Sequence, residues 1–149
     1  MNEWKQILSA AGLNNVILTG YVANSQLPLY QAAADILLMP YQRKVAGHSG
    51  GDIAQVTSPM KLFEYLASGR AILTADLPVL REVLSESNAA FYAPDDLDAF
   101  FSQFDQLVRD PSLRQLLADA ARQEARRYAW KERMQSILNK FSIINGAKK

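Results

Sequence analysis

The stretch from Ser58 to Leu84, SPMKLFEYLASGRAILTADLPVLREVL, restricts the fold of this chain more than any other. Ser58 followed by Pro59 is typical of a helix start, because serine accepts hydrogen bonds from first-turn amides and proline has no N–H to leave unpaired there. Gly69 predicts the helix end, since glycine readily takes positive φ. Segment 70–74 (RAILT) is too short for a helix and is typical of a strand buried on both faces of a parallel sheet. A proline turn and a second helix follow, so the stretch predicts a βα-type unit with an anion site at the helix start.

The flanking sequence predicts further strands and helices in alternation. The expected strands are Val16 to Gly20, Asp35 to Met39 and Ala89 to Tyr92. The expected helices are residues 3–11, one capped by Ser25, Leu97 to Arg109, one from Pro111, and Trp130 to Phe141. Together these patterns predict an α/β fold: a partial Rossmann-like domain with a parallel sheet of about four strands flanked by helices, and a helical carboxyl-terminal segment.

Composition excludes several functional classes. The chain has 149 residues, 49% of them hydrophobic, which suits one globular domain. Its 16 basic and 15 acidic residues supply no net field for nucleic acid. It has no cysteine and one histidine, so disulfides and ordinary structural zinc sites are excluded. No apolar run is long enough to span a bilayer and no signal peptide is recognisable, which makes a cytoplasmic setting the default expectation.

The Ser58–Leu84 stretch resembles the donor-site segment of retaining glycosyltransferases of family 4, which have the GT-B architecture of two facing Rossmann-like domains. LPLYQAAADILLMPYQ, ending at Gln42, resembles that family too. The resemblance implies that the donor diphosphate lies on the helix start, that Glu64 holds the ribose hydroxyls, and that the backbone after the first strand contacts the base. The residues implied for the diphosphate are Ser58, Pro59, Met60, Lys61 and Leu62, and those for the base are Gly20, Tyr21 and Val22. The family often has a second glutamate eight positions before Glu64; here that residue is Val56.

Residues 42–57 (QRKVAGHSGGDIAQVT) predict a loop after a strand's carboxyl end, where ligands bind in open α/β sheets. Within it, Gly50 and Gly51 would allow close backbone approach, and Asp52 would accept from a sugar hydroxyl. In the resembling enzymes this loop borders the donor sugar and diphosphate. A hydrolase based on His48 and Ser49 is disfavoured, because a nucleophilic site needs rigid support and an orienting acid.

The resemblance therefore implies the nucleotide-sugar donor-binding part of a glycosyltransferase that needs no metal or other cofactor. Its acceptor would be a glycan, a lipid or a small molecule, and the parent protein would lie in the cytoplasm or at the inner face of the membrane. The resemblance covers residues 1–149 as one incomplete domain, without two amino-terminal strands and without the acceptor domain. We therefore expect this chain alone to be inactive, and either to be poorly folded or to rely on another piece of protein. Two alternatives stay open: a GT-B nucleotide-sugar epimerase fragment, and a non-catalytic α/β binding module.

Overall fold

The computed structural model of the chain describes residues 2–42 and 60–146. In chain order the elements are α1 (Asn2–Ala10), α2 (Leu27–Ala33), β1 (Ile36–Met39), α3 (Met60–Ser68), β2 (Ala71–Ala75), α4 (Pro78–Arg81), β3 (Ala90–Tyr92), α5 (Leu97–Arg109), α6 (Pro111–Arg127) and α7 (Trp130–Gly146). No helix in the described ranges combines the length and apolar character required to cross a membrane.

The sheet is parallel and has the order β1-β2-β3. In register, Leu37 lies opposite Ile72, and Leu73 lies opposite Ala90. Every residue of β2 is buried, as expected for a central parallel strand covered on both faces. Helices α5 and α6 pack against this sheet, and α3 packs on α6 with Leu62 and Leu66 in the same buried core. The sequence-based prediction of a parallel α/β fold is confirmed.

Two aspartates set the boundaries of the long helices. Asp96 accepts from the Ala99 amide at 2.9 Å at the start of α5, and Asp110 accepts from the Leu113 amide at 2.9 Å at the start of α6. Each side chain satisfies an amide that the helix itself leaves without a partner. The predicted bounds of α5 are confirmed, and so is the start of α6 at Pro111.

The predicted strand from Val16 to Gly20 was wrong. In the described residues the sheet has three strands rather than about four, and 14–23 is irregular, with Val16 and Ile17 exposed at 44% and 84%. A strand is stabilised by hydrogen bonds to a neighbouring strand, and an apolar sequence alone does not supply that neighbour.

Three smaller predictions also need correction. Ser25 does not cap α2: Gln26 occupies the N-cap position and no side chain bonds to the helix amides there. The helix predicted after Pro78 is a single turn that ends at Arg81. The last helix extends beyond Phe141 to Gly146.

Candidate functional site

The amino end of α3 faces the edge of the sheet where the strands end. The chain leaves β1 at Met39 and must return to Ala71, at the start of a parallel strand, and only two residues separate the end of α3 from Ala71. The helix therefore runs back from the carboxyl edge, the edge at which open α/β sheets bind ligands. Its first-turn amides have no partner within the helix and attract anions there.

The structure describes part of the predicted diphosphate segment. Met60 is exposed at 81% and Lys61 is also exposed, so both face solvent at the start of α3. Leu62 is buried at 1% exposure, and its side chain anchors this end of the helix in the core. The predictions for Ser58 and Pro59, and for Gly50, Gly51 and Asp52 of the sugar loop, lie outside the described residues.

Glu64 lies one turn after Met60 on α3, with its side chain exposed. The Gln31 side-chain amide donates to the Glu64 carboxylate, Nε2 to Oε2, at 3.4 Å. Gln31 belongs to α2, which packs against α3. The contact is long for a hydrogen bond and solvent-exposed, so it is weak. Sequence patterns did not identify Gln31, because it is 33 residues from Glu64 and only the packing of α2 on α3 joins them.

The predicted base-contacting segment of Gly20, Tyr21 and Val22 lies in irregular chain before α2. Gly20 has φ +72°, and Tyr21 is exposed at 91%. Among the described residues, no hydrogen bond joins this segment to α3. Gly20 and Tyr21 are exposed to solvent and open to a ligand.

Arg81 forms the best-connected charged cluster at the carboxyl edge. Its guanidinium donates to both carboxylate oxygens of Asp76, at 2.6 and 3.0 Å, and to Glu86 at 2.5 Å. Its Cζ also lies 3.5 Å from the centre of the Phe91 ring. The hydrogen bonds from Arg81 lower the pKa of Asp76. Because two carboxylates and a ring engage the guanidinium, Arg81 fixes the turn after β2 against β3 rather than offering a free charge to a phosphate.

A groove of about 370 Å³ opens beside the same edge. Tyr41 follows β1 and Tyr92 ends β3, and the Tyr92 ring meets the Phe100 ring edge-on at 5.2 Å. Burial raises the pKa of Tyr41 and of Tyr92, and the nearby Asp95 carboxylate raises that of Tyr92 further. Both hydroxyls are therefore protonated at neutral pH and can donate hydrogen bonds.

Within residues 2–42 and 60–146, no group of three or more histidine or acidic side chains is arranged to hold a metal ion.

The chain matches a known protein family. The family described as glycosyl transferases group 1 matches residues 1–110. A phosphatidyl-myo-inositol mannosyltransferase from Mycolicibacterium smegmatis is 28% identical over 103 residues, which are 68% of this chain and 26% of that protein. The putative teichuronic acid biosynthesis glycosyltransferase TuaH from Bacillus subtilis is 36% identical over 66 residues, 44% of this chain and 15% of that protein. The chain thus spans about a quarter or less of these relatives.

Solved structures share the fold. Sucrose-phosphate synthase from Thermosynechococcus elongatus aligns with a TM-score of 0.73 at 15% identity, over 99% of this chain and 35% of that one. The Anabaena protein HepE in complex with UDP aligns with a TM-score of 0.73 at 19% identity, over 95% of this chain and 36% of that one. The family match covers most of this chain, and the chain therefore belongs to the glycosyl transferases group 1 family.

Proposed function

We propose that this chain is the nucleotide-sugar donor-binding part of a retaining glycosyltransferase of family 4. One observation carries the proposal: the exposed Glu64 carboxylate and the amino end of α3 lie on one helix, at the carboxyl edge of a parallel sheet. An anion-binding helix end with a carboxylate one turn away matches a nucleotide, which offers a diphosphate and a ribose diol.

Each part of the nucleotide sugar has a counterpart in this proposal. The diphosphate lies on the segment from Ser58 to Leu62, where the backbone N–H groups at positions other than Pro59 donate to it, and Lys61 adds charge. Glu64 accepts hydrogen bonds from the ribose hydroxyls. The segment of Gly20, Tyr21 and Val22 contacts the base, and the donor sugar lies near Gly50, Gly51 and Asp52. Support for a nucleotide comes from the relative HepE, whose structures contain UDP in one case and UDP-glucose in another.

We propose further that donor binding needs no metal ion, because helix amides and Lys61 can neutralise the diphosphate. The acceptor is a glycan or a lipid. Support for this class comes from two relatives, which are named for phosphatidyl-myo-inositol and for teichuronic acid biosynthesis. An acceptor of this kind would place the parent protein in the cytoplasm, at the inner face of the membrane.

We also propose that the chain is one incomplete domain of a longer protein and is inactive alone. Among the described residues, β1 pairs only with β2, so its outer edge has backbone groups without a strand partner. Further parallel strands at this edge would satisfy those groups. A second domain facing the carboxyl edge would supply the acceptor site.

The experiment is calorimetric titration of UDP, GDP and ADP into the longer protein that carries the missing strands, and into its Glu64→Ala variant. We expect one nucleotide to bind, and the variant to weaken it by about 1–3 kcal/mol through loss of a charged hydrogen-bond partner. Asp119→Ala is the matched control, because it removes one exposed carboxylate from α6, away from the helix start. If no nucleotide binds at about 1 mM, or if both variants behave alike, the assignment of the donor site fails.

A further inference from the structure

The outer face of α5 carries an apolar stripe. Leu97, Phe101 and Val108 are exposed at 70%, 59% and 50%, and Phe104, on the same face, is half-buried. At about 100° per residue, their four-three-four spacing places all four within about 60° of one another around the helix axis. Single exposed apolar residues are normal on a protein surface, but a continuous stripe with this spacing is typical of a helix that packs against another helix.

The Phe101 ring at the centre of the stripe is held by the core beneath it. It meets the Phe100 ring edge-on at 5.4 Å. Phe100 in turn stacks on Phe104 at 5.9 Å and meets the buried Tyr92 edge-on at 5.2 Å. An exposed ring that is already fixed loses little conformational freedom on binding, which suits it to anchor an interface.

Helix α5 lies away from the open edge of the sheet. It packs on β3 and β2, whereas the edge without a strand partner in the described residues belongs to β1. Further strands at β1 would extend the sheet in the direction opposite to α5. Such strands therefore do not account for the stripe.

The stripe reads the same from either end, because its spacing is symmetric about its midpoint. Two copies of α5 can therefore pack antiparallel about a two-fold axis at that midpoint. Leu97 of each copy then lies level with Val108 of the other, and Phe101 lies level with Phe104. An interface about a two-fold axis has to be self-complementary in this way.

The charges beside the stripe are complementary in the same arrangement. Asp98, Asp105 and Arg109 are exposed on one flank, and this flank meets the same flank of the second copy. Asp98 then lies two residues, about 3 Å along the axis, from Arg109 of the second copy. Helical side chains lean toward the amino end of their own helix, so these two lean toward each other. Arg109 already donates to Asp105 at 2.6 Å, and the three charges would form one network across the seam.

The same charges argue against a lipid surface. Helix α5 has two aspartates and a single basic residue, Arg109. Helices that lie in a lipid interface are rich in lysine and arginine on their polar face. A second copy meets no such objection, since the net charge of the chain is only +1 and two copies repel each other little.

We infer that α5 is a dimerisation surface, on which a second copy of this chain packs its own α5 antiparallel along the stripe. Because α5 starts near the carboxyl edge of the sheet, where β3 ends, the two carboxyl edges point in opposite directions. Each copy keeps the site at α3 open, and the inference does not depend on nucleotide binding there. A pair of 13-residue helices is smaller than a standard interface, so we expect a dissociation constant of about 1–100 µM.

Sedimentation equilibrium of the longer protein that carries the missing strands tests the inference. Phe101→Glu places a charge at the centre of the seam and should weaken dimerisation at least about tenfold. Gln106→Glu is the matched control: it adds the same charge on the side of α5 opposite the stripe and should change dimerisation less than about twofold. Both side chains are exposed, so circular dichroism should show that both variants keep the fold.

Two variants of the charged flank test the pairing itself. Arg109→Asp leaves three carboxylates on the flank, and Asp98→Lys combined with Asp105→Lys leaves three basic groups. Each protein alone should dimerise about threefold or more weakly than the wild type, because like charges meet across the seam. An equimolar mixture of the two should form a heterodimer at least about tenfold tighter than either homodimer.

Four results would overturn the inference. The first is a wild-type protein that stays monomeric at about 100 µM. The second is a dimer that Phe101→Glu and Gln106→Glu affect equally, and the third is a mixture of flank variants that binds no more tightly than each alone. The fourth is a monomer that binds phosphatidylglycerol vesicles through Phe101, which would assign the stripe to lipid.

Discussion

Gly69 ends α3 and sets the direction in which the chain enters β2, so its substitution tests how tightly the site helix is held. Its φ is +65°, and a Cβ added there would lie 3.3 Å from Cδ of Arg122. Forcing alanine into left-handed backbone costs about 1–2 kcal/mol. Replacing glycine also reduces the conformational entropy of the unfolded chain, which offsets about 0.4–1 kcal/mol of that cost. Because the Arg122 side chain is flexible and can move by a few tenths of an ångström, we expect Gly69→Ala to lower the free energy of unfolding by about 1 kcal/mol.

Gly12 provides the matched control. Its φ is +68°, and no atom lies within 4 Å of an added Cβ. It follows α1, whose described side chains are exposed apart from the half-buried Leu8. Strain at Gly12 is therefore released by local fraying, and Gly12→Ala should change global stability by less than about 0.5 kcal/mol. Gly69→Asn should cost less than Gly69→Ala, because asparagine adopts left-handed backbone more readily.

The assay is urea unfolding followed by circular dichroism at 222 nm. Tryptophan fluorescence is unsuitable, since Trp4 and Trp130 are exposed at 63% and 78% and do not report on the core. Equal losses for the two alanine variants, or no loss at Gly69, would refute the argument that strain matters only where the backbone is held by packing.

Three further predictions concern Leu66 in the core, the ion pair between Arg81 and Asp76, and metal ions. Leu66 is fully buried, so Leu66→Ala should cost about 2–5 kcal/mol in urea unfolding, and a cost below about 1 kcal/mol would show that the core is loosely packed. Arg81→Met should cost about 1–2 kcal/mol at pH 7, from a partly exposed bidentate ion pair and a cation–π contact. Arg81 lowers the pKa of Asp76 in the folded protein. The stability that the ion pair contributes is therefore complete above the ordinary aspartate pKa of about 3.9, and it is lost as the pH falls through the lower pKa that Asp76 has in the folded protein. A stability difference between wild type and Arg81→Met that does not shrink at low pH would contradict this. Nucleotide affinity measured by calorimetry should be the same in EDTA and in Mg²⁺, and a loss in EDTA would contradict the metal-free proposal.

Local signals in the sequence predicted much of the fold. Helix α5 has the predicted bounds because Asp96 caps its start and Asp110 both follows it and caps α6, which are interactions within a few residues. The buried strand β2 was predicted from a short apolar run between Gly69 and a proline turn, although it lies one residue further along, at Ala71–Ala75. Such features depend on neighbours in sequence, so a pattern can identify them.

Features that depend on distant partners could not be predicted in this way. Val16 to Gly20 has the composition of a strand, but no neighbouring strand pairs with it in the described residues. The contact between Gln31 and Glu64 arises only when α2 packs on α3. The sequence patterns did not identify Arg81, whose guanidinium meets the Phe91 ring only because the sheet places β3 beside the turn after β2. In each case the sequence contains the groups but does not reveal which other segment they meet.

The most direct test of the proposed function asks whether Glu64 recognises ribose. Calorimetry would compare the nucleoside diphosphate that binds best with its 2′,3′-dideoxy analogue, in the wild-type protein and in Glu64→Ala. If the carboxylate accepts from the ribose hydroxyls, the wild type loses about 1.5–3 kcal/mol on the dideoxy compound, and the variant binds both compounds within about threefold of each other. If Glu64→Ala still discriminates as strongly as the wild type, the carboxylate does not contact the ribose and the donor-site account is wrong.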